Sequence, residues 1–501
     1  MSDPVNRIVT LRLGGPLIEI SRDGSEPLSE RELFDVTQKF SFNKLNFNYG
    51  YKSYKNKSYS PLSSERVILY QHDLVGRLIC NKGWFDWLFN YFEKHNYQIN
   101  LIDERVATSD LDYYNEDWER VLDNFEFRPN QEKCLIAIAA RVRDGLGGLI
   151  DAVPAFGKTA IITMLTLLYP KAKIDIITTG SELVEDIYKS IIKYNSDVGQ
   201  CGLGQSIQDR ITVYSSGSMH YSNFDADLVF ADEVHLLMTE KRRKYLAQYM
   251  KALLFGFTGT AAHRLDNAHV CIEALCGPTI FKLGWDQATE AGLVSPIEVY
   301  WQKVELDENP VANVDDVVTR KRYGIWRNDD RNRIIADVSR ELYNKGLQTL
   351  ILVETVEHAL RLKQLLPEFE AVYSENSDNT KFDKAGLTDG LPQMTKKRRK
   401  SLKKDFESRK LMGVIANSVW ATGVSFDSLE VLVRADSSSS PTVNIQWSGR
   451  VARIYEGKTH GILIDFEDNF DETLNAKAVR RRNIYKKNGW KQLLPGGEVF
   501  T

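Results

Sequence analysis

The stretch GGLIDAVPAFGKTAIITMLTLLY, residues 147–169, decides how this chain is expected to fold. GGLIDAV predicts a buried strand, PAFG a turn, and KTAIITMLTLLY an amphipathic helix. Gly157, Lys158 and Thr159 form the Gly-Lys-Thr ending of a phosphate-binding loop, but Ala152 stands where that pattern has its first glycine. Taken alone, the stretch is either a nucleotide site or a surface turn that ends in Lys-Thr.

A second apolar run, ADLVFADE at residues 226–233, ends in the carboxylates that such a loop requires. Loop N–H groups and the positive end of a helix dipole favour phosphate oxygens. Lys158 is therefore predicted to meet the β- and γ-phosphates of ATP, and Thr159 to bind Mg²⁺. Asp232 is predicted to hold the same ion, and Glu233 to orient and deprotonate the attacking water. A lone Asp-Glu after a strand is usually only a polar strand end.

Short apolar runs alternate with helical patterns from about residue 125 onward. This alternation is typical of a mostly parallel sheet with helices on both faces. It restarts after a polar, charged connector at roughly 297–335, so we expect two successive α/β domains. The predicted strands are GGLIDAV, IDIITTG, ITVYSSG, ADLVFADE and LLFGFTGT, followed by QTLILVET, LMGVIANS, LEVLVRAD and GILIDFE.

Composition narrows the class of protein. The chain has 501 residues and a net charge of −3, so any nucleic acid must bind to a local basic surface. No stretch approaches the roughly 20 apolar residues of a membrane span, and MSDPVNRIVT lacks a secretory signal. The five cysteines include no C-x-x-C pair, which disfavours structural zinc and a disulfide framework. We expect a cytoplasmic protein with no membrane partner.

The second predicted α/β domain contains NIQWSGRVARI at residues 444–454. Arg450 and Arg453 are three residues apart, which predicts that both lie on one helical face. Arginine is suited to stabilising charge on a transferring phosphoryl group. Taken in isolation, a solvated basic helix is the alternative.

FRPNQ, VPAFGKT, TTGSELVED, DEVH, TGTAAHR, TGVSFDSLE and QWSGRVAR follow one another along the chain. In this order they resemble the motifs of the superfamily 2 helicases and translocases, from residue 125 to about 470. The resemblance implies two RecA-like domains that bind ATP and Mg²⁺ and act on nucleic acid. It divides the chain into an α+β accessory domain (1–120), two motor domains (121–295 and 296–490) and a tail (491–501).

The resemblance also implies roles for residues of the ATP site. Gln131 would read the adenine with Arg128 against it, and Arg450 and Arg453 would reach the γ-phosphate across an interdomain cleft. The remaining implied residues are Ala155, Phe156, Gly157, Gly423 and Asp427 for ATP binding and Gln446 for catalysis. Ala155 departs from the glycine of many members. A negative φ would accommodate it, whereas a positive φ would cost about 1–2 kcal/mol. Because every catalytic side chain is present, we expect a working site.

Contacts with nucleic acid are implied at the strand ends of the motor. Thr178 and Thr179 of TTGSELVED would meet backbone phosphate, and Thr258 and Thr260 of TGTAAHR would couple the ATP site to the strand. Ser215 and Thr422 are further candidates.

The N-terminal region carries a second resemblance. NYGYKSY, DLVGRL and HNYQINLID follow the order of the small domain that precedes the motor in phage UvsW-type branch-migration helicases. This implies forked or branched DNA as the partner, and the host-cell cytoplasm if the protein is phage-encoded. Lys52, Tyr54 and Lys55 belong to an aromatic and basic stretch that suits phosphate neutralisation and base stacking. The alternative is that these rings form the core of a small domain. Trp84 and Trp87 are predicted to be core.

TKKRRKSLKKDFESRK, residues 395–410, is the densest basic run. Leu402 and Phe406 predict a helix with one apolar face. Its basic residues, expected to be mainly solvated, are Lys396, Lys397, Arg398, Arg399, Lys403 and Lys404. A soluble face and a DNA contact through Lys396, Arg398 and Arg399 are equally compatible with this pattern. AVRRRNIYKKNGW at 478–490 is a second basic candidate.

These patterns predict an ATP-dependent DNA helicase or translocase that unwinds or branch-migrates forked and junction DNA. An RNA helicase is one alternative, because DEVH does not determine the polymer. An ATP-gated nucleic-acid-binding module with little turnover is another. Glu233 together with both arginines argues against that module, because only turnover requires all three.

Overall fold

The computed structural model describes residues 7–45, 64–105, 109–112, 114–202, 204–259, 269–374, 380–417, 420 and 426–494. Its contacts define two compact units: unit 1 comprises residues 1–152 and 156–283, and unit 2 comprises residues 153–155 and 284–501. Within the described ranges, no helix is both long and apolar enough to cross a membrane.

Unit 1 contains fifteen described strands and eight described α-helices. The strands are β1 (Ile8–Gly14), β2 (Leu17–Arg22), β3 (Ser41–Leu45), β4 (Ser64–Ile68), β5 (Tyr70–His72), β6 (Leu78–Asn81), β7 (Gln98–Asp103), β8 (Gly148–Ala152), β9 (Ile174–Thr178), β10 (Val198–Gly202), β11 (Gln205–Ile207), β12 (Ile211–Ser215), β13 (Leu228–Asp232), β14 (Leu253–Thr258) and β15 (Thr279–Leu283). The helices are α1 (Glu30–Lys39), α2 (Phe85–Lys94), α3 (Trp118–Val121), α4 (Gln131–Arg143), α5 (Lys158–Leu168), α6 (Ser181–Ile191), α7 (Glu240–Leu246) and α8 (His269–Cys276).

The N-terminal part of unit 1 is a five-stranded sheet with the order β5-β6-β2-β1-β7. Strands β1 and β7 are parallel, and the other pairs are antiparallel. Helix α1 begins with a capping box in which Ser29 and Glu32 bind each other's backbone N–H groups. Trp84, Leu88 and Phe92 are fully buried beneath this sheet. The helical spacing of these apolar residues therefore builds a core, as predicted for Trp84.

The N-terminal sheet is joined to helices α4 and α8 of unit 1 by specific contacts. Arg141 of α4 forms a bidentate pair with Asp86, at 2.7 and 2.8 Å. Lys39 pairs with Glu273 of α8 at 2.8 Å. A Cβ at Gly83 would lie 2.2 Å from the Glu273 carbonyl oxygen, so the two backbones approach closely. Removing the N-terminal region would therefore expose packed surface on the rest of unit 1.

The central sheet of unit 1 has the order β11-β10-β12-β9-β13-β14-β8-β15, and only the β10–β11 pair is antiparallel. All five strands predicted for the first α/β domain are present, as β8, β9, β12, β13 and β14. Strands β9, β13, β14 and β8 are consecutive neighbours in this sheet. Because parallel strands end at one edge, the residues that terminate them lie close together.

Unit 2 contains seven described strands and eight described α-helices. The strands are β16 (Ile297–Val304), β17 (Thr349–Leu352), β18 (Glu370–Val372), β19 (Gly413–Ala416), β20 (Val431–Arg434), β21 (Gly461–Asp468) and β22 (Lys491–Leu493). The helices are α9 (Trp285–Glu290), α10 (Val317–Lys321), α11 (Asp329–Asn344), α12 (Val356–Leu365), α13 (Thr380–Asp383), α14 (Lys396–Glu407), α15 (Pro441–Ser448) and α16 (Glu472–Lys487).

The unit 2 sheet is parallel throughout, with the order β18-β19-β17-β20-β21-β16-β22. The four strands predicted for the second α/β domain are confirmed. The prediction of a polar connector at 297–335 is wrong, because that range contains β16, which pairs with both β21 and β22. Its sequence, IEVYWQKV, alternates buried and half-buried residues, so it lacks the continuous apolar run that marked the other strands.

Candidate nucleotide site

The predicted phosphate loop joins β8 to α5, as the sequence indicated. Gly157 precedes the helix with a φ of 89°, and a Cβ there would lie 2.6 Å from the Gln131 amide nitrogen. Glycine is therefore required at this position for both its backbone and its size. Ala155 has a φ of 75°, so of the two alternatives the sequence left open, the strained one holds. The left-handed backbone costs this alanine about 1–2 kcal/mol.

The residue between these two, Phe156, is fully buried. Its ring stacks on Phe281 of β15, with the ring centroids 5.2 Å apart. Burial of a phenylalanine side chain stabilises a fold by about 1.5–3 kcal/mol, which is enough to offset the strain at Ala155. The sequence assigned Phe156 to ATP binding, and the structure places its side chain in the core beneath the loop.

Gln131, predicted to read adenine, is also buried. Its amide nitrogen donates to the Phe156 carbonyl at 2.9 Å, and its amide oxygen accepts from the Arg128 backbone N–H at 3.0 Å. One end of the amide is thus bound to the backbone of the loop and the other to the backbone just before α4. Adenine recognition by Gln131 and Arg128 stays a prediction.

Two carboxylates terminate β13 beside the loop. Asp232 is buried, and burial raises the pKa of its carboxyl. The neighbouring Glu233 raises that pKa further, whereas the Lys158 ammonium lowers it. Lys158 donates to the Ala152 carbonyl at 3.3 Å. The structure therefore brings the predicted lysine and both predicted carboxylates into one electrostatic cluster within unit 1.

Threonines from β9 and β14 complete this cluster. The Thr178 hydroxyl lies 3.5 Å from the Asp232 carboxylate and is fully buried, and its contact with backbone phosphate stays a prediction. His235 Nδ1 lies 2.8 Å from the Thr258 hydroxyl and 3.3 Å from Glu233 Oε2. Thr258 is also fully buried and contacts His235, beside the predicted base. Its role in coupling the ATP site to nucleic acid stays a prediction.

The arginines of unit 2 follow α15. Arg450 lies in a 3-10 turn, Gly449–Ala452, and Arg453 follows it with extended backbone, so the prediction that both lie on one helical face is wrong. Arg450 is buried, and this burial lowers the pKa of its guanidinium to about 9. The positive charge of Arg453 makes a smaller contribution in the same direction. Arg453 Nη1 lies 3.4 Å from Asp427 Oδ1, which brings together two residues predicted for the ATP site. Gln446 is on α15, one turn before Arg450.

A buried polar cluster holds α15 in unit 2, and the sequence analysis did not identify it. Arg434 makes a bidentate pair with Asp436, with both distances 2.7 Å, and also donates to Asn444 of α15. Tyr485 donates to Asp465 at 2.6 Å, and Asp465 in turn pairs with Arg481 at 3.0 Å. All of these side chains are fully buried. The alternation of Arg434 and Asp436 after an apolar run was the available signal. Arg481 of the second basic run is thus not a surface residue.

Helix α14 matches the predicted basic helix, with Leu402 and Phe406 buried. Lys396 is exposed, as expected. Arg398 is half-buried and donates to Glu370 at 3.0 Å, and Arg399 donates to the Tyr373 carbonyl at 3.4 Å. The prediction that both arginines are mainly solvated is wrong, because each packs onto the edge of the sheet near β18.

The other predicted contacts with nucleic acid divide into two groups. Thr179 is half-buried, and the Ser215 hydroxyl lies 2.8 Å from that of Ser218. The other five, Thr260, Thr422, Lys52, Tyr54 and Lys55, lie outside the described residues, as does Gly423, which was predicted for ATP binding.

Comparison with known proteins agrees with this arrangement. Residues 332–455 match the helicase conserved C-terminal domain. The chain is 22% identical over 358 residues to the probable helicase D10 of Escherichia phage T5, covering 69% of this chain and 73% of that protein. S. cerevisiae Dbp5 bound to RNA and ADP BeF3 is 13% identical with a TM-score of 0.53, covering 76% of this chain and 94% of the other. T4 UvsW is 16% identical with a TM-score of 0.39, covering 97% and 99%.

The match to the helicase conserved C-terminal domain and the likeness to the T5 helicase, together with the order of the motifs, make the chain similar to the superfamily 2 helicases. They support a nucleic-acid helicase or translocase with two RecA-like α/β sheets.

Proposed function

We propose that the protein is an ATP-driven motor that moves on DNA and remodels forked or branched DNA. The observation that supports this best is the cluster at the carboxyl edge of the unit 1 sheet. There Lys158 begins a helix beside the buried Asp232 and the partly exposed Glu233. Lys158 binds the β- and γ-phosphates, and Glu233 orients and deprotonates the attacking water.

The residues of this cluster fit a magnesium ion. Mg²⁺ takes oxygen ligands, and the Thr159 hydroxyl and the Asp232 carboxylate are of that kind. The buried Asp232 has a raised pKa, so a divalent cation would stabilise its ionised form. When bound, Mg²⁺ neutralises charge on the phosphate oxygens.

Arg450 and Arg453 of unit 2 stabilise charge on the γ-phosphate in this proposal. A buried guanidinium with a lowered pKa gains from an anionic partner, because burial disfavours its charge. Asp427 Oδ1 lies 3.4 Å from Arg453 Nη1, so these two side chains hold each other in place.

The branched-DNA part of the proposal rests on the N-terminal resemblance and on one described feature. DLVGRL forms the turn between β5 and β6, in which Leu74 is fully exposed and Val75 is largely exposed. Asp73 fixes this turn, because its carboxylate accepts from the Val75 and Arg77 backbone N–H groups at 3.0 and 2.8 Å. Rigid apolar side chains of this kind can unstack base pairs.

The test is ATP turnover of the full chain with four polymers: single-stranded DNA, duplex DNA, forked DNA and single-stranded RNA. We expect DNA to stimulate turnover, and forked DNA most strongly. The Lys158→Ala variant should retain below about one hundredth of that rate, because the lysine contacts the phosphates that react. Stimulation by RNA alone would replace the DNA assignment with an RNA helicase. Nucleotide binding without turnover on any polymer would replace the motor with a gated binding module.

A further inference from the structure

Two adjacent residues of the loop depart together from the small, glycine-rich pattern of phosphate loops. Ala155 occupies the left-handed region, with a φ of 75°, where glycine is the usual residue. Phe156 follows it and is fully buried. An alanine keeps this backbone only when its surroundings hold it there.

Phe156 is held from both its ring and its backbone. The ring stacks on Phe281 at an interplanar angle of 24°. Phe281 belongs to β15, which pairs with β8 immediately before the loop. The Phe156 carbonyl accepts from the Gln131 amide, and Gln131 is itself bound to the Arg128 backbone. The residue after Ala155 is therefore fixed to two neighbouring elements of unit 1.

We propose that Phe156 is a positioning residue, whose buried ring compensates for the missing glycine at position 155. Fixing Phe156 keeps Ala155 left-handed, so the loop N–H groups are already arranged for phosphate before nucleotide arrives. Without the ring, Ala155 relaxes to a negative φ, and nucleotide binding must then restore the strained form. This inference rests on the proposed function of the loop as the nucleotide site.

The proposal makes the two substitutions Phe156→Ala and Ala155→Gly interdependent. The test measures the Kd of a fluorescent, non-hydrolysable ATP analogue with Mg²⁺ for the full chain, each single variant and the double variant. We expect Phe156→Ala to weaken binding about tenfold, as the strain of one left-handed alanine implies. Ala155→Gly should recover most of the loss in the Phe156→Ala background, and its effect on the Kd should be smaller in the parent.

Phe281→Ala removes the other ring of the stacked pair, and Phe281 is only half-buried. This variant should therefore show the same loss of affinity for the analogue even if Phe156→Ala fails to fold. Phe255→Ala is the matched control for Phe156→Ala. Phe255 is as buried as Phe156, but it pairs with Gly148, at the end of β8 that is far from the loop. This control should lower the unfolding temperature and leave the Kd unchanged.

Two results would overturn the positioning role of Phe156: a parental Kd in both ring variants, or an equal effect of Ala155→Gly in both backgrounds. A parent chain that does not bind the analogue at all would instead reject the proposed nucleotide site.

Discussion

The two units hold the residues predicted for the ATP site by different means. In unit 1, Asp232 and Glu233 stand at the end of a buried parallel strand, and the ladder of backbone hydrogen bonds sets their position. In unit 2, Arg450 and Arg453 lie in a turn after α15, and side chains such as Asn444 hold that helix. A sheet edge tolerates changes in surrounding side chains, whereas a buried polar cluster depends on each member.

The largest effect that we expect is that of replacing an arginine of unit 2. Arg450→Ala should reduce nucleic-acid-stimulated turnover by about 10³, because one arginine that stabilises the transferring phosphoryl group can contribute that much. The KM for ATP should change far less, since the charge develops in the transition state. Steady-state ATPase measurements separate the two parameters.

Arg333→Ala is the control for this variant, because Arg333 is an exposed arginine of α11 in the same unit. Its turnover should stay within about twofold of the parent. A parental turnover number in Arg450→Ala would mean that the arginine is only structural.

A smaller expected effect is that the stabilities of the two units respond differently when the pH falls. Burial lowers the pKa of His358 in unit 2 to about 3, and its Nε2 lies 2.9 Å from Asn332 Oδ1. The unfolded chain takes up a proton near pH 6.5 that the folded form excludes, so unit 2 loses stability as pH falls below that value. The loss between about pH 7 and about pH 5 is about 2 kcal/mol. In unit 1, burial raises the pKa of Asp175 to about 6, so that group adds stability as pH falls through 6.

Hydrogen exchange of each unit at the two pH values measures this contrast. Unit 2 should become less protected than unit 1 on acidification, and His358→Gln should reduce the change because its amide can still donate to Asn332 without titrating. Identical pH responses of the parent and of this variant would exclude His358 as the cause.

The sequence predicted the strands of the two α/β sheets wherever a strand is a continuous apolar run, as in β13 and β14. It missed β16, whose half-buried alternation resembles a polar connector. It also brought Lys158, Asp232 and Glu233 together correctly, because parallel strands share one carboxyl edge.

The sequence did not predict the direction of the side chains at the ends of strands. Thr178 and Thr258 end strands that neighbour β13 and β8, but their hydroxyls face Asp232 and His235 instead of the surface. The same limit applies to Ala155, whose positive φ depends on the burial of the next residue.

In the proposed mechanism, the cluster in unit 1 hydrolyses ATP with Glu233 as the base. The most direct test compares nucleotide binding and turnover in the Glu233→Gln variant, which keeps the shape of the side chain and removes its basicity. The Kd of the ATP analogue should stay within about threefold of the parent, while DNA-stimulated turnover falls by about 10²–10⁴. Parental turnover in this variant, or loss of nucleotide binding, would contradict the account.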